Sequence, residues 1–192
     1  MLVNPSEILT NTEITADKSN AIHSTVDSDL FQGKHFEILK KKMVNIPDEN
    51  QAFHYVTNGD FSMSECLLYC LKLAGPSDIF VATWSISELA IRQLLIMKEK
   101  GFVKSCQFIL DPRVKVRNPK PLQLLQNNFS FAYVACHAKV SLIKSDKHHI
   151  DIVSSANLSR NPRIERGVIY NNKEIFDFDK KWMDDAFNRR TT

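Results

Sequence analysis

The sequence predicts an α/β fold with a largely parallel sheet. Between residues 51 and 135, apolar segments of strand length alternate with amphipathic helical segments, and this order is typical of parallel strands joined by crossover helices. Glycine, proline and polar turn residues separate the segments, as in Gly75-Pro76 and at Gly101. These two observations indicate one layered domain in this part of the chain.

The boundaries of the predicted elements follow from apolar spacing and from capping residues. Ser62 or Ser64 can cap the first of the crossover helices, and Ser87 can cap the second. The terminal helix carries an aromatic stripe, which we interpret as core or dimer packing rather than base stacking. We predict a strand at 51–57, a helix that ends at 74, a strand at 78–85 and a helix at 88–100. Strands at 102–110 and 129–135 follow, with a short helix at 121–126 between them, and a terminal helix lies at 175–187.

The first 28 residues differ in composition from the rest of the chain. They are rich in Asn, Thr, Ser and Asp, which predicts a poorly ordered arm over residues 1–28 and a single domain over 29–192. The start has no basic segment followed by an apolar one, so we expect no signal peptide. No apolar run reaches membrane-spanning length, so we also expect no contact with a membrane.

Charge and cysteine content bear on the partners, the metal sites and the disulfides that the chain can have. The formal net charge of +3 is mild and does not by itself indicate a nucleic-acid partner. The four cysteines form no Cys-x-x-Cys pair and no His–Cys cluster at zinc spacing, and the adjacent His148 and His149 have no second pair. We therefore expect no metal, no cofactor, and buried free thiols in a reducing cytoplasm. The cysteines are Cys66, Cys70, Cys106 and Cys136.

Basic segments are candidates for contacts with phosphate groups. The loop after the strand at 102–110 carries Arg113, Lys115 and Arg117, and ligands of such sheets bind beyond the carboxyl ends of strands. These cations fit phosphates along a nucleic acid, and a solvated surface loop would have the same composition. The other candidates are the lysine triplet 40–42, although such a run is more often a solvated face, and Arg160, Arg163 and Arg166, which can form a positive rim.

The residues with catalytic chemistry lie between positions 136 and 168. Two apolar strands, at 140–143 and 150–153, form a predicted hairpin with a polar tip. His137 and Lys139 are two residues apart, so in a strand both side chains leave the same face. Where the second strand ends, the chain places Ser154, Ser155 and Asn157, and Glu165 follows eight residues later.

These residue types suit phosphodiester chemistry. A phosphodiester needs a nucleophile, donors to its non-bridging oxygens and an acid for the leaving group. An unprotonated His137 can attack phosphorus, while Lys139 and Asn157 donate to the oxygens. Glu165 can accept a hydrogen bond from the imidazole and so fix its tautomer.

The same residues resemble the signature of the phospholipase D superfamily. That pattern is His-x-Lys, an Asp five residues after the Lys, then Gly-Ser-x-Asn and a downstream Glu. Here Lys144 stands in place of the Asp, with Asp146 as the nearest acid, and Ser154 stands in place of the Gly. In the family this Asp is mainly a structural residue of the turn. Its absence therefore weakens the match to the motif more than it weakens the case for phosphodiester chemistry. The matching segments are His137-Ala-Lys139, Ser154-Ser155-Ala-Asn157-Leu-Ser, Asn161 and Glu165-Arg-Gly-Val.

The resemblance implies one mixed sheet with helices on both faces. It implies His137 as the nucleophile, Lys139 and Asn157 as phosphate ligands, Ser155 as a supporting hydroxyl, and Glu165 as the partner of the histidine. The family's reaction uses two histidines, whereas this chain has one copy of the motif. It therefore resembles the small bacterial endonucleases, which form homodimers with one shared active site.

The function implied is that of a metal-independent nuclease with a phosphohistidine intermediate, with DNA favoured over RNA. Two alternatives stay open. One is a phospholipid phosphodiesterase of the same superfamily, which is disfavoured because those enzymes are usually longer and carry two motif copies. The other is a catalytically inactive nucleic-acid-binding or assembly module of the same fold.

Overall fold

The computed structural model describes residues 34–160 and 162–189, so the predicted arm at 1–28 and Asn161 lie outside the described residues. No helix within these ranges is long and apolar enough to cross a membrane. The helices are α1 (Lys34–Lys42), α2 (Met63–Ala74), α3 (Glu88–Glu99), α4 (Val114–Arg117), α5 (Pro119–Gln126) and α6 (Lys173–Asn188). The strands are β1 (Ala52–Asn58), β2 (Ser77–Thr83), β3 (Val103–Leu110), β4 (Ser130–Tyr133), β5 (Val140–Lys144), β6 (His149–Ser154) and β7 (Ile164–Asn171).

The strands form one mixed sheet in the order β1-β7-β6-β5-β2-β3-β4. The α/β class is confirmed, but the prediction of a largely parallel sheet is wrong. Among the described strands, β3 pairs in parallel with β2 and β4, and the other four pairings are antiparallel. The reason is that crossover helices join neighbouring strands only from β2 to β3 and from β3 to β4. Helix α2 instead carries the chain from β1 past three strands to β2, β5 and β6 form a hairpin, and β1 lies against β7.

Helices cover both faces of the sheet, as the resemblance implies. On one face, Phe80 and Leu142 pack with Phe176 and Met183 of α6. Residues that alternate with these along each strand point to the other face, where α2 contacts β5 and β6. Phe178 of α6 is 74% exposed, so this part of the predicted aromatic stripe does not belong to the core.

Side chains cap the helices close to where the sequence predicts. Ser62 accepts a hydrogen bond from the backbone N–H of Glu65, and the Glu65 carboxylate accepts one from that of Ser62, so α2 begins with a capping box. The sequence allows either Ser62 or Ser64 as the N-cap, and the structure shows that it is Ser62. Ser87 caps α3 as predicted. Asn172 caps α6, which for this reason begins two residues earlier than predicted.

The β5–β6 hairpin is closed by a different side chain from the turn aspartate of the phospholipase D pattern. Lys144, which stands at that position, is exposed at the end of β5. The hydroxyl of buried Ser145 accepts hydrogen bonds from the backbone N–H groups of Lys147 (3.3 Å) and His148 (3.0 Å). Ser145 therefore closes the turn, and the nearest acid, Asp146, is exposed.

A carboxyl group is buried on the α6 side of the sheet. Asp151 of β6 is fully buried, and its two side-chain oxygens have no hydrogen-bond partner in the described part of the chain. Burial, and then the neighbouring carboxyl of Asp179, raise the pKa of Asp151 to about 9. Asp151 is therefore protonated in the folded protein at neutral pH, whereas the unfolded chain ionises it.

We expect this group to make the protein less stable as pH rises. A carboxyl whose pKa is raised on folding loses stability between its ordinary pKa of 3.8 and its folded pKa of about 9, at up to about 1.4 kcal/mol per pH unit. Asp151→Asn cannot ionise, and its amide can donate to Asp179. The measurement is the free energy of unfolding by denaturant across this pH range. It should not fall with pH in Asp151→Asn as it does in wild type, whereas the control Asp146→Asn, at an exposed position, should keep the wild-type dependence. A wild-type slope in Asp151→Asn would contradict the assignment.

Candidate active site

Four strands bring their polar ends to one edge of the sheet. The chain leaves β2 at Trp84 and β6 at Ser155, and it enters β5 after Lys139 and β7 at Ile164. Because β5 is antiparallel to β2 and β7 is antiparallel to β6, these ends meet. They enclose an open cleft of about 570 Å³. Its polar and aromatic lining is Trp84, His137, Lys139, Ser154, Ser155, Asn157, Arg163 and Glu165.

His137 and Lys139 lie side by side, in the segment before β5 rather than within the strand. The Nζ atom of Lys139 lies 3.1 Å from Nδ1 and 3.3 Å from Nε2 of His137, and it donates to the His137 carbonyl oxygen at 2.6 Å. Burial lowers the pKa of Lys139, and the nearby Cys136 and Glu165 oppose that shift. The imidazole is exposed, so the pair presents a nucleophile and a cation to the cleft.

Asn157 is held by the segment that follows β2. Its Oδ1 atom accepts a hydrogen bond from the backbone N–H of Trp84 at 3.3 Å and lies 3.5 Å from the hydroxyl of Thr83. That hydroxyl also accepts from the backbone N–H of Leu158 at 3.2 Å, which joins the strand end to the Asn157 loop. Since the amide oxygen is used in this way, the Nδ2 group is left to donate to a ligand in the cleft.

The two serines after β6 fix the loop against β7. The hydroxyl of Ser155 donates to the carboxylate of Glu165 and accepts from the backbone N–H of Arg166 at 3.0 Å. Ser154, at the superfamily's glycine position, accepts from the backbone N–H two residues later at 3.1 Å. No described residue other than glycine has a positive φ angle, so this backbone does not require glycine there. The contact of Glu165 with the imidazole of His137 stays a prediction.

Trp84 is the site residue that the sequence analysis missed. The apolar pattern assigns it to the buried strand at 78–85, but it is half-buried directly after β2 ends. Its ring centroid lies 5.5 Å from that of the His137 imidazole. Its position in the sequence could have identified Trp84 as a site residue, because side chains just beyond the carboxyl end of a strand reach ligands in such sheets.

The predicted basic loop forms α4 and stacks its cations on aromatic rings. The guanidinium carbons of Arg113 and Arg117 lie 5.1 and 4.0 Å from the ring of Trp84. The Nζ atom of Lys115 lies 4.1 Å from the ring of Tyr133, beside a neighbouring cavity. The structure therefore brings two of the three predicted cations to the ring of Trp84, which lines the cleft, and the third to Tyr133 at the neighbouring cavity.

Arg113 is also anchored by a buried carboxylate. Its Nε and Nη2 atoms lie 2.6 and 2.9 Å from the two carboxylate oxygens of Asp111, which is 2% exposed. The hydrogen bond from Arg113 is the main cause that lowers the pKa of Asp111 to about 2. Arg113 is therefore fixed in place, and Asp111 offsets its charge.

The remaining predicted cations lie at the edge of the site. Arg163 lines the cleft and is exposed, and Arg160 is exposed outside the lining. Across residues 34–160 and 162–189, no group of three or more His, Cys, Asp or Glu side chains is placed to hold a metal ion. The chemistry available in the cleft is thus that of an imidazole, an ammonium, an amide, hydroxyls and one carboxylate.

No family model matches the sequence, and no curated protein matches it. Solved structures do resemble the fold. Nuc from Salmonella typhimurium, a phospholipase D family member, is 14% identical with a TM-score of 0.57, and the match covers 72% of this chain and 96% of Nuc. NucT from Helicobacter pylori is 18% identical with a TM-score of 0.54, and the match covers 72% of this chain and 97% of NucT. Polyphosphate kinase from Porphyromonas gingivalis is 12% identical with a TM-score of 0.52, over 71% of this chain and 26% of the kinase.

Proposed function

Because this chain has the phospholipase D fold, we propose that it is a phosphodiesterase, and specifically a nuclease that acts on DNA in preference to RNA. One fold hosts many functions, so the proposal rests on the site. The observation that carries it is the single cleft in which the imidazole of His137, the ammonium of Lys139 and the amide of Asn157 meet. These are a nucleophile and two donors, as a phosphodiester requires.

The proposed reaction has two displacements at phosphorus. An unprotonated imidazole nitrogen of His137 attacks, the bond to the leaving oxygen breaks, and a phosphohistidine forms while an acid protonates the leaving oxygen. Water then attacks the phosphorus and gives a proton to the group that had protonated the leaving oxygen, and the bond between phosphorus and the imidazole nitrogen breaks. In both steps, Lys139 Nζ and Asn157 Nδ2 donate to the non-bridging oxygens, where negative charge develops. The hydrogen bond between Ser155 and Glu165 holds the segment after β6 against β7.

The acid for the leaving group is proposed to come from a second copy of the chain. One motif supplies one histidine, and a two-fold axis through the cleft would bring in the partner's equivalent. Two exposed apolar side chains support this arrangement. Val116 of α4 is 86% exposed and Ile164 of β7 is 72% exposed. Ile164 adjoins Arg163 and Glu165 of the cleft lining. Val116 adjoins Arg117, which lies over the ring of Trp84. Apolar groups in such a position fit a surface that a partner covers.

We expect cleavage to persist in excess EDTA. Sites that bind Mg²⁺ rely on carboxylates, whereas Glu165 is the one carboxylate in the described lining of this cleft. The experiment measures cleavage of single- and double-stranded DNA and RNA, and of phospholipid vesicles, with EDTA and with Mg²⁺. DNA should be cleaved at equal rates in both conditions.

Each other outcome of this experiment contradicts a different part of the proposal. Loss of cleavage in EDTA that Mg²⁺ restores would contradict the metal-independent mechanism. Binding of nucleic acid without cleavage in either condition would favour the inactive module. Hydrolysis of the vesicles alone would favour the lipid enzyme. Faster cleavage of RNA than of DNA would contradict the proposed preference.

A further inference from the structure

The indole of Trp84 forms a wall of the cleft that the proposed reaction does not use. Its Nε1 atom is buried and has no hydrogen-bond partner among the described residues. The ring therefore offers its face, rather than its N–H group, to a ligand. That ring lies 5.5 Å from the imidazole of His137, measured between centroids, so a ligand on its face would be a direct neighbour of the phosphate under attack.

The two guanidinium groups on this ring are held differently. Arg113 is fixed by two hydrogen bonds to the buried carboxylate of Asp111. Arg117 lies closer to the ring, at 4.0 Å, is exposed, and forms no ion pair within the described ranges. A single cation–π contact outside the protein core is weak. Arg117 can therefore leave the ring at small cost and pair with a phosphate instead.

From this arrangement we infer that Trp84 is the stacking platform for the base next to the scissile phosphate, and that the substrate is a single-stranded nucleic acid. The inference rests on the proposed nuclease function. When the base stacks on Trp84, it displaces Arg117, which then pairs with the adjoining phosphate. A base in a duplex already has both faces stacked, so only a single strand can offer a free face to this ring.

A second aromatic ring with a cation lies on the other side of α4. The Nζ atom of Lys115 lies 4.1 Å from the ring of Tyr133. Both residues line a cavity of about 620 Å³, together with Trp182, Asp185 and other residues. Two such rings, one on each side of a basic helical turn, fit unpaired bases of one strand with a charged backbone.

A lipid headgroup is the rival ligand for Trp84. A quaternary ammonium binds to a tryptophan face through the same cation–π attraction that holds Arg117. Here Arg113 and Arg117 both stand at that face, and their positive charges would repel a cationic headgroup. The neutral face of a base, followed by an anionic phosphate, matches the charges present.

The test compares kcat/KM for a single-stranded oligonucleotide, the same strand with abasic nucleotides beside the cleavable phosphate, and the duplex. Wild type should prefer the strand with bases over the abasic strand by about 5- to 150-fold, since stacking on one ring contributes about 1–3 kcal/mol. Trp84→Ala should abolish this ratio, and Trp84→Phe should keep most of it. Phe178→Ala, which removes an exposed aromatic ring from α6, should leave the ratio unchanged.

The outcomes separate this inference from the proposed function. Both kcat/KM values in the ratio are measured on the same preparation of each variant. A smaller folded fraction in Trp84→Ala therefore lowers both values equally and leaves their ratio unchanged. If wild type cleaves none of the three substrates, the nuclease function falls, and the inference falls with it. If wild type cleaves them but Trp84→Ala slows both single strands equally, the stacking platform alone is overturned. Duplex cleavage at the single-strand rate, or Trp84-dependent hydrolysis of phosphatidylcholine vesicles in preference to DNA, would overturn it as well.

Discussion

Replacing His137 with alanine is expected to lower turnover by about 10⁴-fold or more, as loss of the nucleophile does in other covalent hydrolases. The imidazole is exposed in the cleft, so its removal should leave the thermal midpoint nearly unchanged. His54→Ala is the matched control, because His54 is an exposed histidine on the edge strand β1, and it should keep full turnover. Substantial cleavage by His137→Ala would assign the attack to another group or to water.

The same substitution tests whether two chains share one site. In the proposed homodimer, one histidine attacks while the other protonates the leaving oxygen, so the two rings need different protonation states. A heterodimer of wild type and His137→Ala, purified through two different tags, keeps only one of them. Its activity should fall far below half of the wild-type value. Half activity, or an active monomer at high dilution, would show that each chain carries a complete site.

The edge of the sheet where the site forms could be predicted from the sequence, but the pairing of the strands could not. Polar residues before β5 and after β6 had to meet, because the two strands form a hairpin. Apolar strands such as 140–143 have the same local pattern whether their neighbours are parallel or antiparallel. The expected largely parallel sheet extended the order of β2, β3 and β4 to strands that no crossover helix joins to a neighbouring strand.

Long-range packing explains the remaining differences. The contact of Trp84 with Arg117 depends on how α4 folds back over the end of β2, and no local pattern encodes that. The exposure of Phe178 was accessible from the sequence. Phe176 is buried, and residues two apart on a helix do not share a face. The role of Ser145 in the turn could not be predicted either, because it depends on the hydrogen bonds that its hydroxyl accepts from two backbone N–H groups of the turn.

Asn157 allows the donor role to be separated from the structural role. Its Oδ1 atom accepts the hydrogen bond from the backbone N–H of Trp84, whereas its Nδ2 group is the proposed donor to the phosphate. Asn157→Asp keeps the acceptor and removes the donor, and Asn157→Ala removes both. Loss of one donor to a developing oxyanion costs about 10²- to 10³-fold in turnover, so both variants should show at least that loss.

Stability should distinguish the two variants. Asn157→Asp should melt close to wild type at pH 7, because the hydrogen bond that holds the loop to the end of β2 remains. Asn157→Ala should melt lower, because the Trp84 N–H loses its partner, at a cost of about 1 kcal/mol. The measurement is kcat beside the thermal midpoint for each variant, with Asn128→Asp on the loop before β4 as a control that should keep full turnover. If Asn157→Asp retains wild-type turnover, Asn157 only positions the loop, and the second phosphate donor must be another group in the cleft.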